Sequence, residues 1–131
     1  MRLLLPLVLC LLVAGCGGES GDLIAIKVSG GVAAPKDPIE MVLADNGRGT
    51  CDGGEEAAVP SELLIDAREI ERELGDLAED GASYPPTGAD QREYVVRIKR
   101  GTVRFAEGEP DLPEVLPKTQ LLAVRLEREL C

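Results

Sequence analysis

Tyr94-Val95-Val96-Arg97-Ile98-Lys99-Arg100-Gly101-Thr102-Val103-Arg104-Phe105 is the stretch that decides the fold class of this chain. Tyr94, Val96 and Ile98 alternate with Val95, Arg97 and Lys99, and after Arg100-Gly101 the alternation resumes with Val103 and Phe105 inward. A period of two that breaks at a glycine and restarts reads as a β-hairpin with one apolar face. Upstream the same period recurs twice. Ile24, Ile26 and Val28 share a face against Ala25 and Lys27, and Ile39, Met41 and Leu43 share one against Glu40 and Val42. Asp45-Asn46-Gly47 is a turn, because Asn and Gly accept positive φ at low cost, and a short segment from Gly49 to Cys51 can pair back. Between the strand pairs, Pro60-Ser61 opens a helix with Leu63, Ala67, Ile70, Leu74 and Leu77 at three- and four-residue steps. Gly81 to Gly88, with Pro85-Pro86 inside, breaks it. A closing helix follows Pro113, with Leu116, Leu122, Leu126 and Leu130 as its stripe. The order ββαββα predicts an α+β domain, an antiparallel sheet with two helices packed on one face.

The other sheet face would then be open, carrying Lys27, Arg97, Lys99 and Arg104 on an otherwise acidic chain. Two readings stand: a solvated face, common in antiparallel sheets, or a docking surface for an acidic partner.

The chain begins Met1-Arg2 and continues into an apolar run from Leu3 to Ala14. That run falls short of the roughly 20 residues a membrane span needs, and has the length of a secretory leader's apolar region. It ends in Val13-Ala14-Gly15-Cys16, which resembles the lipobox of bacterial lipoproteins: an aliphatic residue, two small residues, then cysteine. The resemblance implies that residues 1–15 are a signal peptide and that Cys16 is lipidated and becomes the mature N-terminus. Each buried methylene contributes about 0.8 kcal/mol, so two or more acyl chains hold a protein stably. Residues 16–22, rich in glycine and polar groups, are the expected tether, and 23–131 the single domain. The expected location is the extracytoplasmic face of the cell membrane or outer membrane.

Losing Arg2 leaves 13 basic against 24 acidic residues, a formal charge of −11. An acidic domain is repelled by phosphate backbones, so no nucleic-acid partner is expected. With two tyrosines, one phenylalanine and no tryptophan, the core must be aliphatic. Small exported domains compensate for modest cores with disulfides. Cys10 lies in the leader and Cys16 carries lipid, so Cys51 and Cys131 are expected to bond; reactive thiols or an intermolecular bridge are the alternatives.

Histidine is absent, which removes the commonest general base and the usual zinc ligand. Asp45 to Glu56 has the length of an EF-hand loop, yet Gly47, Gly49 and Thr50 stand where ligands and the required glycine belong. No CxxC pair, phosphate-cradling loop or dinucleotide fingerprint occurs. The expectation is a non-enzymatic protein with no catalytic residue, no metal site and no cofactor.

Leu23-Ile24-Ala25-Ile26-Lys27-Val28-Ser29-Gly30-Gly31-Val32, then a strand, a helix and Tyr94-Val95-Val96-Arg97-Ile98 before Gly101-Thr102-Val103, resembles the emfourin-like proteins. These are small bacterial inhibitors of thermolysin-like metallopeptidases, so the resemblance implies a protein partner of that kind. The candidate partner-binding loop is Ser29, Gly30, Gly31 and Val32, in a connection stiffened by Pro35 and Pro38. A rigid loop binds with less ordering cost. The same glycines also suit a plain strand connection. An envelope component is the alternative partner.

Overall fold

The computed structural model describes residues 21–31 and 38–131 of the 131-residue chain. The expected leader, Cys16, most of the expected tether and Val32 lie outside the described residues. The strands are β1 (Asp22–Gly30), β2 (Ile39–Ala44), β3 (Arg48–Cys51), β4 (Ala57–Ala58), β5 (Ser83–Tyr84), β6 (Arg92–Ile98) and β7 (Gly101–Ala106); α1 (Ser61–Glu79) falls between β4 and β5, and α2 (Val115–Leu130) follows β7. They form one seven-stranded sheet ordered β4-β3-β2-β1-β6-β7-β5. The fold is α+β.

Three short strands correct the expected ββαββα order: β3, on the segment expected to be able to pair back, and β4 and β5. β4 pairs with β3 through Arg48–Ala58 and Gly49–Ala57. β5 lies parallel to β7, with Ser83 beside Arg104 and Tyr84 beside Phe105, so the sheet is mixed rather than purely antiparallel. The cause of the parallel strand is the way α1 ends. Gly81 takes φ 64°; its N–H donates to Ala78 O (3.1 Å) and the Ala82 N–H to Leu77 O (2.9 Å), the paired closure of a Schellman cap. The chain thereby leaves α1 alongside β7, where Ala82 O accepts the Arg104 N–H at 3.0 Å.

The alternation read from the sequence builds the core. Ile24, Ile26, Met41, Leu43, Tyr94, Val96, Val103 and Phe105 form one buried cluster with Leu63, Ala67 and Leu74 of α1 and Leu116, Leu122 and Leu126 of α2. A bulge between Asp22 and Ile24 inserts Leu23 as an extra residue, and Leu23 is buried with them. Thr119 is fully buried on α2, and its hydroxyl donates to Val115 O at 2.7 Å. The helices run antiparallel, joined on their outer side by Asp66–Arg125 (2.7 Å) and Glu73–Lys118 (3.5 Å). Cys51 and Cys131 are disulfide-bonded, with Cα atoms 5.5 Å apart, tying the end of α2 to β3. Leu130 covers Gly49 beside that bond: a Cβ on Gly49 would lie 2.8 Å from Leu130 Cδ1.

The sheet has two distinct ends. Asp22, the Asp45-Asn46 turn and the Lys99-Arg100 turn share the near end; Gly30, Pro38, Arg92 and Ala106 share the far end. At roughly 3.3 Å per residue, the nine residues of β1 separate these ends by about 30 Å.

Candidate functional site

The end of β1 is built by its pairing with β6, in which Ser29 faces Glu93 and Gly30 faces Arg92. Gly30 and Gly31 have φ of 77° and 81°, a left-handed pair that side chains rarely adopt. A Cβ on Gly30 would lie 2.9 Å from the Gln91 carbonyl oxygen, and one on Gly31 would lie 2.8 Å from Arg92 Cγ. Backbone geometry and close approach therefore explain both glycines by themselves. Ser29, Gly30 and Gly31 stand together at the far end, half-buried or exposed; Val32 lies outside the described residues.

A polar network stiffens this end, and sequence reasoning missed it. Gln91 uses its whole amide. Its Oε1 accepts from the Thr87 N–H (2.8 Å) and the Gly88 N–H (2.6 Å), while its Nε2 donates to Glu107 O (2.8 Å) and Glu109 Oε1 (2.9 Å). Glu109 Oε1 also accepts from the Thr87 hydroxyl at 2.9 Å. Donation from Gln91 and then Thr87 holds the Glu109 carboxyl below the usual carboxylate range. No motif marks these residues; the only signal was a glutamine between a breaker and a strand.

Beneath this rim, Tyr94 is 1% exposed and stacks on Phe105 with ring centroids 4.9 Å apart. Burial pushes its phenol upward, Glu107 adds to that, and the neighbouring Arg92 pulls the other way. The Arg92 N–H donates to Glu107 Oε1 at 3.4 Å, so Glu107 and Arg92 connect the loop root to the buried aromatic pair.

The open sheet face is a second candidate surface. Its rows follow from register: Glu40, Lys27, Val95 and Arg104 across β2-β1-β6-β7, and Val42, Ala25, Arg97 and Thr102 beside them. Lys27 pairs with Glu40 (3.9 Å) and Arg97 with Asp22 (3.7 Å), both half exposed, so each contributes at most about 1 kcal/mol. Arg104 makes no ion pair among the described residues. Lys99 departs from the expected set. β6 stops at Ile98, and Lys99 stands at the near-end turn beside Asp22 and Asp45 rather than in these rows.

In the acidic loop, Asp52 accepts the Glu40 N–H at 2.8 Å and Glu56 pairs with Arg48 at 3.1 Å. Among the described residues no group of three or more His, Cys, Asp or Glu is arranged to hold a metal ion, and no helix is long and apolar enough to cross a membrane. No protein-family model matches the chain, and no curated protein matches it in sequence.

Proposed function

We propose that this chain is a lipid-anchored, non-enzymatic binding domain on the extracytoplasmic side of a membrane, and that its far-end loop engages a thermolysin-like metallopeptidase as an inhibitor. The observation that carries the reading is the polarity of β1. The chain enters the domain at Asp22, six residues after Cys16, and reaches Gly30-Gly31 at the opposite end of the sheet. A lipid on Cys16 would thus hold the near end at the bilayer and present the loop root about 30 Å away. The Gln91, Thr87 and Glu109 network supports the same reading, since a stiffened root lowers the ordering cost of binding. The emfourin-like string supplies the partner class, and a chain without histidine lacks the usual acid–base catalyst.

The test is inhibition of thermolysin-like peptidases, including those of the same organism, by purified mature protein. Inhibition at micromolar concentration or better, lost in Val32→Asp while the Cys51–Cys131 bond stays intact, is the expected result. Absence of inhibition across the panel would remove the inhibitor assignment and leave the anchored binding domain.

A second reading is an envelope assembly protein that holds an acidic partner on the open sheet face. It is favoured by Lys27 and Arg104, two exposed cations on either side of half-buried Val95 in one row of the sheet. A double charge reversal, Arg97→Glu with Arg104→Glu, should abolish partner recovery in a pull-down; unchanged recovery would end that reading.

A further inference from the structure

α2 carries two stripes. The inner one, Leu116, Thr119, Leu122 and Leu126, is buried in the core. The outer one begins at Glu114, the residue that caps the start of α2, and continues through Pro117, Leu121, Val124 and Arg128, spaced three and four residues in alternation, the repeat of a helix-pairing seam. Leu121 is 60% exposed, and it is one of two large hydrophobic side chains so exposed among the described residues. Val124 beside it is half-buried and Pro117 exposed. The two ends of the stripe are charged with opposite sign, and neither Glu114 nor Arg128 makes an ion pair among the described residues.

We propose that this outer face of α2 is a self-association surface on which a second copy of the chain lays its own α2 antiparallel. The charge pattern selects both the occupant and the direction. About a two-fold axis at the middle of the stripe, Leu121 of one copy meets Leu121 of the other, and Val124 of each lies over Pro117 of its partner. Glu114 of each copy then lies within reach of Arg128 of the other, so both ends are paired at once, as an isologous contact requires. A parallel arrangement would set Glu114 against Glu114 and Arg128 against Arg128. α1 cannot serve as the seam: it carries seven acidic against two basic residues, and two such faces repel. α2 carries three basic and two acidic residues, three with its cap Glu114, and this near balance makes it the one helix of the layer that tolerates its own copy.

The experiment is light scattering with size-exclusion chromatography on the full chain as recovered from expressing cells, with any bound detergent subtracted from the mass. A dimer at tens of micromolar, on the order of a weak two-helix contact, is expected. Leu121→Asp should leave only monomer. Glu114→Arg alone and Arg128→Glu alone should each weaken the dimer by on the order of tenfold, since each change places like charges at both ends. The double variant Glu114→Arg with Arg128→Glu should restore it. Restoration separates an interface from a loss of folding, because two helix-destabilising changes cannot otherwise recover association. A parent chain that stays monomeric at about 100 µM, or a dimer indifferent to Leu121→Asp, or a double variant no better than the singles, would overturn the proposal.

Discussion

Removing the Cys51–Cys131 bond, by Cys51→Ala with Cys131→Ala, should cost this domain about 4 to 5 kcal/mol. The bond joins residues separated by 80 positions. In the chain-entropy treatment, closing a loop of that length removes about 15 cal/mol/K from the unfolded chain, or about 4.5 kcal/mol at 25 °C. Domains of about this size lose roughly 4 °C in midpoint per kcal/mol, so the melting temperature should fall by about 15 to 20 °C. The loss acts on the unfolded ensemble, which becomes more expanded, so the urea dependence should also steepen. Urea and thermal unfolding of parent, double variant and reduced parent measure all three quantities. Reduced parent and double variant should coincide, because both lack only the crosslink. A midpoint shift below about 3 °C would mean that β3 and the end of α2 are held by Leu130 and the helix packing, with the crosslink contributing little.

Gly30→Ala and Gly31→Ala should each destabilise by about 1 to 3 kcal/mol in urea unfolding, because both positions need left-handed φ and a Cβ would press on Gln91 or Arg92; neutrality at both would contradict the backbone explanation of the pair. In a Tyr84→Phe variant the only remaining phenol is Tyr94, and its absorbance change should begin above pH 10.0, the ordinary value, and coincide with loss of structure. Its raised pKa means that stability is fully present below that pH and falls as pH rises through the folded value. Glu109 has the opposite sign. Its lowered pKa adds stability above pH 4.5, the ordinary value, that is lost as pH falls through the folded value, so Glu109→Gln should flatten the acid limb of melting temperature against pH. A variant with the parent's acid limb would show that the Thr87 and Gln91 contacts do not hold that carboxylate.

Most of the fold was legible because its long elements obey a single period. The hairpin of β6 and β7, the strands β1 and β2, and the stripes of α1 and α2 all follow from where Leu, Ile, Val and Tyr recur. Legibility failed where an element is too short to have a period. β4 and β5 are two residues each, and pairing with a neighbour, not their own composition, makes them strands. Gly81 read correctly as a breaker, but a breaker does not say where the chain goes next; the capping bonds at Ala78 and Leu77 decided that. At the candidate loop, Ser29, Gly30 and Gly31 were visible as a string, whereas Thr87, Gln91 and Glu109 come together only through the fold. The disulfide was legible by elimination, since Cys10 falls in the expected leader and Cys16 at the expected lipidation site, which leaves Cys51 and Cys131. Lys99 was misplaced because alternation does not announce the residue at which a strand stops.

In the proposed arrangement a lipid on Cys16 holds the near end of this domain at a membrane. Intact mass spectrometry of the protein recovered from its native membrane, before and after reduction and alkylation, tests it most directly. The expected mass lacks residues 1–15, carries acyl chains on Cys16, and takes up two alkyl groups only after reduction, on Cys51 and Cys131. A chain that retains its first 15 residues, or one cut elsewhere with an unmodified Cys16 thiol, would contradict the anchored orientation and with it the presentation of Gly30-Gly31 away from the bilayer.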